Sequence, residues 1–200
     1  MSKIASLKTM GWIGLAAAAL VLCACAGPWQ KAPSRLHTKQ WSITPPEGWM
    51  HLEMPDSDML SKDGPYLQYI LAQERPLDRG FRFTRQKLNP GMLPHEAARL
   101  ITDNLRADTH IRRFRLRSIE PATIGGYSGF KLSYTHQDQL GVDIDTVYYG
   151  VIVQDRFFNL RYSAAKRHYF DSQLAAFDRV LQSIVFISDN QMIAVQKQTN

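Results

Sequence analysis

From residue 111 to residue 162 the chain alternates apolar and polar side chains with a period of two, and that pattern narrows the possible folds most. In Ile111 to Ser118, Phe114 and Leu116 point one way while Arg113, Arg115 and Arg117 point the other. Phe130, Leu132 and Tyr134 repeat the alternation after a Gly125-Gly126 turn. Val142 to Val153 supply a further strand, and Phe158, Leu160 and Tyr162 mark the next. Gln154-Asp155 is the tight connection between these last two. Strands in series with short turns make an antiparallel meander, whose apolar faces need cover.

Two helical patterns can supply it. Pro94 suits a first helical turn, where its missing N–H is harmless, and Ala97, Leu100, Ile101 and Leu105 continue one apolar face to about Arg106. Phe170, Leu174, Phe177, Leu181 and Ile184 fall on one stripe at 4-3-4-3 spacing, which predicts a helix from Tyr169 to Phe186. Earlier, Trp41 and Ile43 precede a turn at Pro45-Pro46-Glu47-Gly48. Leu67, Tyr69 and Leu71, alternating with Gln68, Ile70 and Ala72, read as a strand apolar on both faces after Asp63-Gly64-Pro65. Phe81 and Phe83 suggest another strand. Strands, helix, strands, helix is the order of an α+β fold, an antiparallel sheet covered by helices.

The chain has 200 residues and two cysteines, Cys23 and Cys25. Everything after Cys25 must therefore fold without disulfides. A body of about 150 residues can do so, since it buries roughly 68–70% of the surface its unfolded chain exposes. One domain is expected.

The start of the chain has a different character. Lys3 and Lys8 precede an apolar run from Met10 to Leu22, the plan of a secretory signal and too short for a confident membrane span. The run closes on Leu22-Cys23-Ala24-Cys25, which resembles the bacterial lipobox, with Leu22 at −3, small Ala24 at −1 and Cys25 at +1. The resemblance implies that the Cys25 thiol receives a diacylglyceryl group and that the new amino terminus is acylated. Cys23 is the rival, but bulky Leu22 would then stand at −1. Several chains make a stable anchor where a single one is marginal. Ala26 in place of aspartate implies sorting to the outer membrane, facing the periplasm. The expected division is a lipoprotein signal peptide at 1–24, lipidated cysteine and tether at 25–36, an α+β domain at 37–188 and a frayed tail at 189–200. Cleavage would remove Lys3 and Lys8, leaving 22 basic against 18 acidic side chains, or +4. With an export signal, so mild an excess argues against nucleic acid as a partner.

The Pro45-Pro46-Glu47-Gly48-Trp49 turn, Ile124-Gly125-Gly126-Tyr127-Ser128-Gly129-Phe130 leading into a strand, and the closing helix with Phe170 and Phe177 form a distinctive set. Together they resemble the PsbP-like family of bacterial lipoproteins and photosystem accessory proteins. The resemblance spans about residues 38–187. It implies an α-β-α sandwich used for binding and assembly.

Catalytic patterns fall short. His95-Glu96-Ala97-Ala98-Arg99 puts a cation where a zinc helix needs its second histidine. Gly126-Tyr127-Ser128-Gly129 departs from a nucleophile elbow, because its second glycine comes one residue early and a strand follows. Asp143 and Asp145 share a strand face and read as solvated carboxylates, without the ligand-rich loop of a calcium site. His37, His51, His95, His110, His136 and His168 have no ligand spacing. No catalytic residue, metal or cofactor is expected. The aromatics Tyr148, Tyr149, Phe157, Phe158, Tyr162, Tyr169 and Phe170 read as core between sheet and helix. Arg113, Arg115 and Arg117, stacked by period-two spacing with Arg106 and Arg112 near, could meet acidic lipid headgroups or an acidic envelope protein. On an edge strand such charges also suppress edge-to-edge pairing. The reading is a membrane-anchored envelope lipoprotein acting as a non-catalytic binding or assembly module. The rivals are an envelope hydrolase using Ser128 or the acidic pair, and a carrier with an apolar pocket beneath the last helix.

Overall fold

The structure, a computed structural model, describes residues 28–38 and 40–187. Cys25 and the segments read from sequence as a signal at 1–24 and a tail at 189–200 lie outside the described residues. The chain divides into two units, Met1–Gln30 and Lys31–Asn200, with a two-residue strand β1 (Gln30–Lys31) at the boundary. The account below concerns the second.

Its strands are β2 (Leu36–His37), β3 (Trp41–Ile43), β4 (Met50–Met54), β5 (Ser57–Ser61), β6 (Gln68–Pro76), β7 (Arg112–Ile124), β8 (Tyr127–Gln137), β9 (Asp143–Val153), β10 (Arg156–Ala165) and β11 (Val185–Phe186). The helices are α1 (Pro94–Ala107) and α2 (Tyr169–Gln182). From β4 the main sheet runs β4-β5-β6-β10-β9-β8-β7, and a small sheet runs β11-β3-β2. All the pairings described are antiparallel. The meander is thus one half of the main sheet, with β7 at its edge.

Alternation sends the strand residues to two separate cores. Phe158, Leu160, Tyr162, Val147 and Val151 meet Phe177 and Val180 of α2, together with Trp41 and Ile43 of the small sheet. Phe130, Leu132, Tyr134, Tyr148 and Phe157 meet Ala97, Ala98, Ile101 and Leu105 of α1. One helix on each face makes an α-β-α sandwich. Beneath α2, Tyr162 stacks on Phe170 and Phe177 at centroid separations of 5.4 and 5.6 Å. Rings fill that space.

Four expectations change. Phe81 and Phe83 do not form a strand: the Arg85 N–H donates to the Phe81 carbonyl, Arg85 has φ 60°, and Phe81 is buried in a loop beneath the Arg75 guanidinium. The closing helix stops at Gln182. There the Ser183 hydroxyl donates to the Val180 carbonyl and accepts the Thr44 N–H, and Val185–Phe186 pair with Trp41 and Ser42. The β4–β5 hairpin, turning at Pro55-Asp56, is additional to the strands read from sequence. Finally, Leu36 is buried opposite Ile43, so the packed body begins ahead of residue 37.

Candidate functional site

The three arginines stand on the open edge strand, yet their regular stacking is broken. The β7–β8 pairing shifts register between Arg112 and Arg115, and again between Leu116 and Ser118. Arg113 takes φ 51°, a left-handed conformation uncommon for a side-chain-bearing residue. Such bulges re-aim side chains. Here they bring Arg113, Arg115 and Arg117 around one groove of about 490 Å³, whose wall also includes His136, Asp143 and Lys166. Lys166 arrives because its backbone N–H donates to the Asp143 carbonyl at 2.9 Å, just past the end of β10.

Charges in the groove have unequal roles. Arg117 Nη2 donates to Asp145 Oδ1 at 3.1 Å, reaching over β8 to β9. The Asp145 side chain is 8% exposed, so it is not the solvated carboxylate read from sequence: the β8–β9 pairing and Arg117 cover it. Asp143 is exposed and accepts from Gln137 Nε2 at 2.9 Å. Among the described residues, Arg113, Arg115 and Lys166 make no ion pair. Four cations face two carboxylates here, a surplus of two positive charges. The three arginines do come together; Lys166 joins them from far along the chain, with no local signal in the sequence.

An apolar rim adjoins this groove. Tyr66 and Leu140 are each 80% exposed, and Leu67 and Val142 are exposed as well. All four sit at the same end of the sheet. The Leu67 carbonyl accepts the Ala165 N–H, immediately before Lys166, while Leu140 and Val142 belong to the β8–β9 turn, immediately before Asp143. The exposure of Leu140 was not legible in the sequence, where a leucine beside a strand is expected to pack.

The alternative sites look different. Ser128 lies exposed in β8 opposite Thr123, two residues past the Gly125-Gly126 turn, and makes no hydrogen bond to a histidine or carboxylate among the described residues. Glu96 is the first-turn partner of the Leu93 N–H at 2.9 Å, and His95 and Arg99 are exposed on α1. Among the described residues no helix is long and apolar enough to cross a membrane, and no group of three or more His, Cys, Asp or Glu could hold a metal ion.

Antiparallel order, a helix on each face and a small lateral sheet define the class of fold, and solved structures give it a name. The chain is similar to the cyanobacterial PsbP (CyanoP) of Synechocystis sp. PCC 6803, with TM-score 0.56 and 14% identity over 82% of this chain and 97% of that one. It is similar to LpqN of Mycobacterium tuberculosis, described as involved in cell envelope biogenesis, with TM-score 0.56 and 13% identity over 81% of this chain and 93% of that one. The Ran-binding protein Mog1p of Saccharomyces cerevisiae follows at TM-score 0.53 and 8% identity, over 81% and 99% of the two chains. The fold is PsbP-like, and at these identities the likeness is one of fold alone. No protein-family model and no curated protein sequence matches the chain.

Proposed function

We propose that this protein is a binding module of the bacterial envelope, tethered through lipid on Cys25, whose arginine groove and apolar rim dock on an anionic membrane surface. The observation that carries the reading is the juxtaposition at one end of the sheet. Arg113, Arg115 and Lys166, in no ion pair among the described residues, border four exposed apolar side chains, Tyr66, Leu67, Leu140 and Val142. Cations attract acidic headgroups at roughly 1 kcal/mol each near the surface, and the apolar tips gain free energy by entering the interface. Tyrosine suits that depth, with an apolar ring and a polar end. The lipobox-like Leu22-Cys23-Ala24-Cys25 supports anchoring, and the envelope role described for LpqN supports the compartment.

Arg117 is a poor probe, because its charge holds Asp145. The test spares it: protein beginning at position 25 and carrying Cys25→Ser is compared with the same protein carrying Arg113→Gln, Arg115→Gln and Lys166→Gln, by flotation with vesicles rich in phosphatidylglycerol. The triple variant should bind about tenfold or more weakly, with a shallower dependence on salt. Equal binding by the two proteins would remove the reading.

A further inference from the structure

The opposite face of the sheet holds a cation of another kind. Arg161 stands mid-strand on β10, where cross-strand partners lie about 5 Å apart. It is opposite Tyr148 of β9 and Leu71 of β6. The neighbouring row on the same face reads Tyr134, Thr146, Ser163 and Tyr69, successive partners across β8, β9, β10 and β6. One guanidinium is therefore ringed by five hydroxyl-bearing side chains. Tyr134, Tyr148, Thr146 and Ser163 are buried, whereas Arg161 and Tyr69 are half-buried, so the cluster opens to solvent between those two.

Among the described residues no acid pairs with this charge, and the Arg161 Nε is buried without a hydrogen-bond partner. The guanidinium lies 5.6 Å from the Tyr69 ring centroid, which offsets part of the desolvation but uses no N–H donor. Burial pushes the Tyr134 phenol up to about 12, and pushes the Tyr148 phenol up as well, so both keep their protons at neutral pH and remain donors. Thr146 and Ser163 hydrogen-bond each other through their hydroxyl oxygens at 2.9 Å, and the Tyr134 hydroxyl is within hydrogen-bonding reach of both Thr146 and Arg161. Guanidinium N–H groups and neutral hydroxyls converging without a carboxylate suit a planar or tetrahedral oxyanion.

We infer that Arg161 and the surrounding Tyr69, Tyr134, Tyr148, Thr146 and Ser163 form a binding site for the oxyanion head of a small molecule, a carboxylate or a phosphate. The body of such a ligand extends past the Tyr69 ring, the open side. The arginines and Thr135 of the groove lie toward the other face, since Tyr134 and Thr135 are adjacent in β8 and point oppositely, and His136, whose ring packs on Tyr134, stands between the two sites. The oxyanion site stands or falls independently of membrane docking.

The test follows the Arg161 Nε–H signal by 15N–1H NMR in the full chain, in detergent, with sodium acetate and inorganic phosphate titrated separately up to about 50 mM, a range matched to millimolar affinity. The expected result is a saturable shift with at least one probe, and the responding probe identifies carboxylate or phosphate as the head. Tyr134→Phe should keep the fold and weaken that binding at least about threefold, because it removes one donor. Arg161→Gln should abolish the binding, read as loss of the anion-induced rise in melting temperature seen with the unsubstituted protein. No saturable shift with either probe would overturn the assignment, as would binding unchanged in Tyr134→Phe; if Arg161→Gln fails to fold, the Tyr134→Phe comparison decides.

Discussion

Arg117 of β7 and Asp145 of β9 are joined across the intervening strand, with Nη2 and Oδ1 3.1 Å apart, and the two partners differ sharply in exposure. The arginine side chain is 47% exposed and the aspartate 8%. Loss of Asp145 returns the guanidinium to water, whereas loss of Arg117 leaves a covered carboxylate without its cation. Arg117→Gln should therefore destabilise by about 1–2 kcal/mol, the cost of an unsatisfied covered group discounted for the exposed partner. Asp145→Asn should cost less than about 1 kcal/mol. Urea unfolding of the two variants checks the order, and an Arg117→Gln cost no larger than that of Asp145→Asn would contradict the covered carboxylate.

Gly150 sits between two rings. A Cβ there would collide with Phe130 Cζ and approach Phe157 Cζ to 2.9 Å, and both rings are held in the core beneath α1. Gly150→Ala should destabilise by about 1–3 kcal/mol through overpacking. The unfolding midpoint in denaturant reads the effect directly. A neutral result would show that the rings can turn aside.

His136 gives the fold a sensitivity to acid. Burial first, then Arg161, hold its imidazole below the usual range, against opposing pulls from Asp138 and Asp108. The unfolded chain takes up the proton near pH 6.5 while the folded protein resists it until lower pH, so stability is full above that range and falls as the pH drops through it. His136→Gln should flatten the dependence of the urea midpoint between about pH 7 and pH 5. An unchanged slope would assign that dependence to other groups.

Much of the fold was legible because the strands are half-buried and alternate cleanly. Phe130, Leu132 and Tyr134 lie on the face under α1, and Phe158, Leu160 and Tyr162 on the face under α2, each as the period of two requires. The aromatics read as one core are in fact two, because Phe157 and Phe158 are neighbours in one strand and point oppositely. Phe81 and Phe83 misled, since alternation over so few residues does not distinguish a strand from a loop with one buried anchor. Val185 and Phe186 directly follow the helical stripe in sequence, yet a waiting edge at β3 claims them. Of the candidate site, the arginines were visible as a set, but the bulges that gather them and the arrival of Lys166 depend on pairings between distant strands. Arg161 was hidden for the same reason: its hydroxyl ring comes from four strands.

Membrane docking is tested most directly by a dye placed on the rim. The only cysteines are Cys23 and Cys25, so protein beginning at position 25 with Cys25→Ser accepts a single label through Leu140→Cys, and a control through Asp155→Cys in the turn at the far end of β9. An environment-sensitive fluorophore at 140 should shift to the blue and become accessible to lipid-borne quenchers on adding phosphatidylglycerol vesicles, while the one at 155 stays as in water. No shift at 140, or equal shifts at the two positions, would contradict the account.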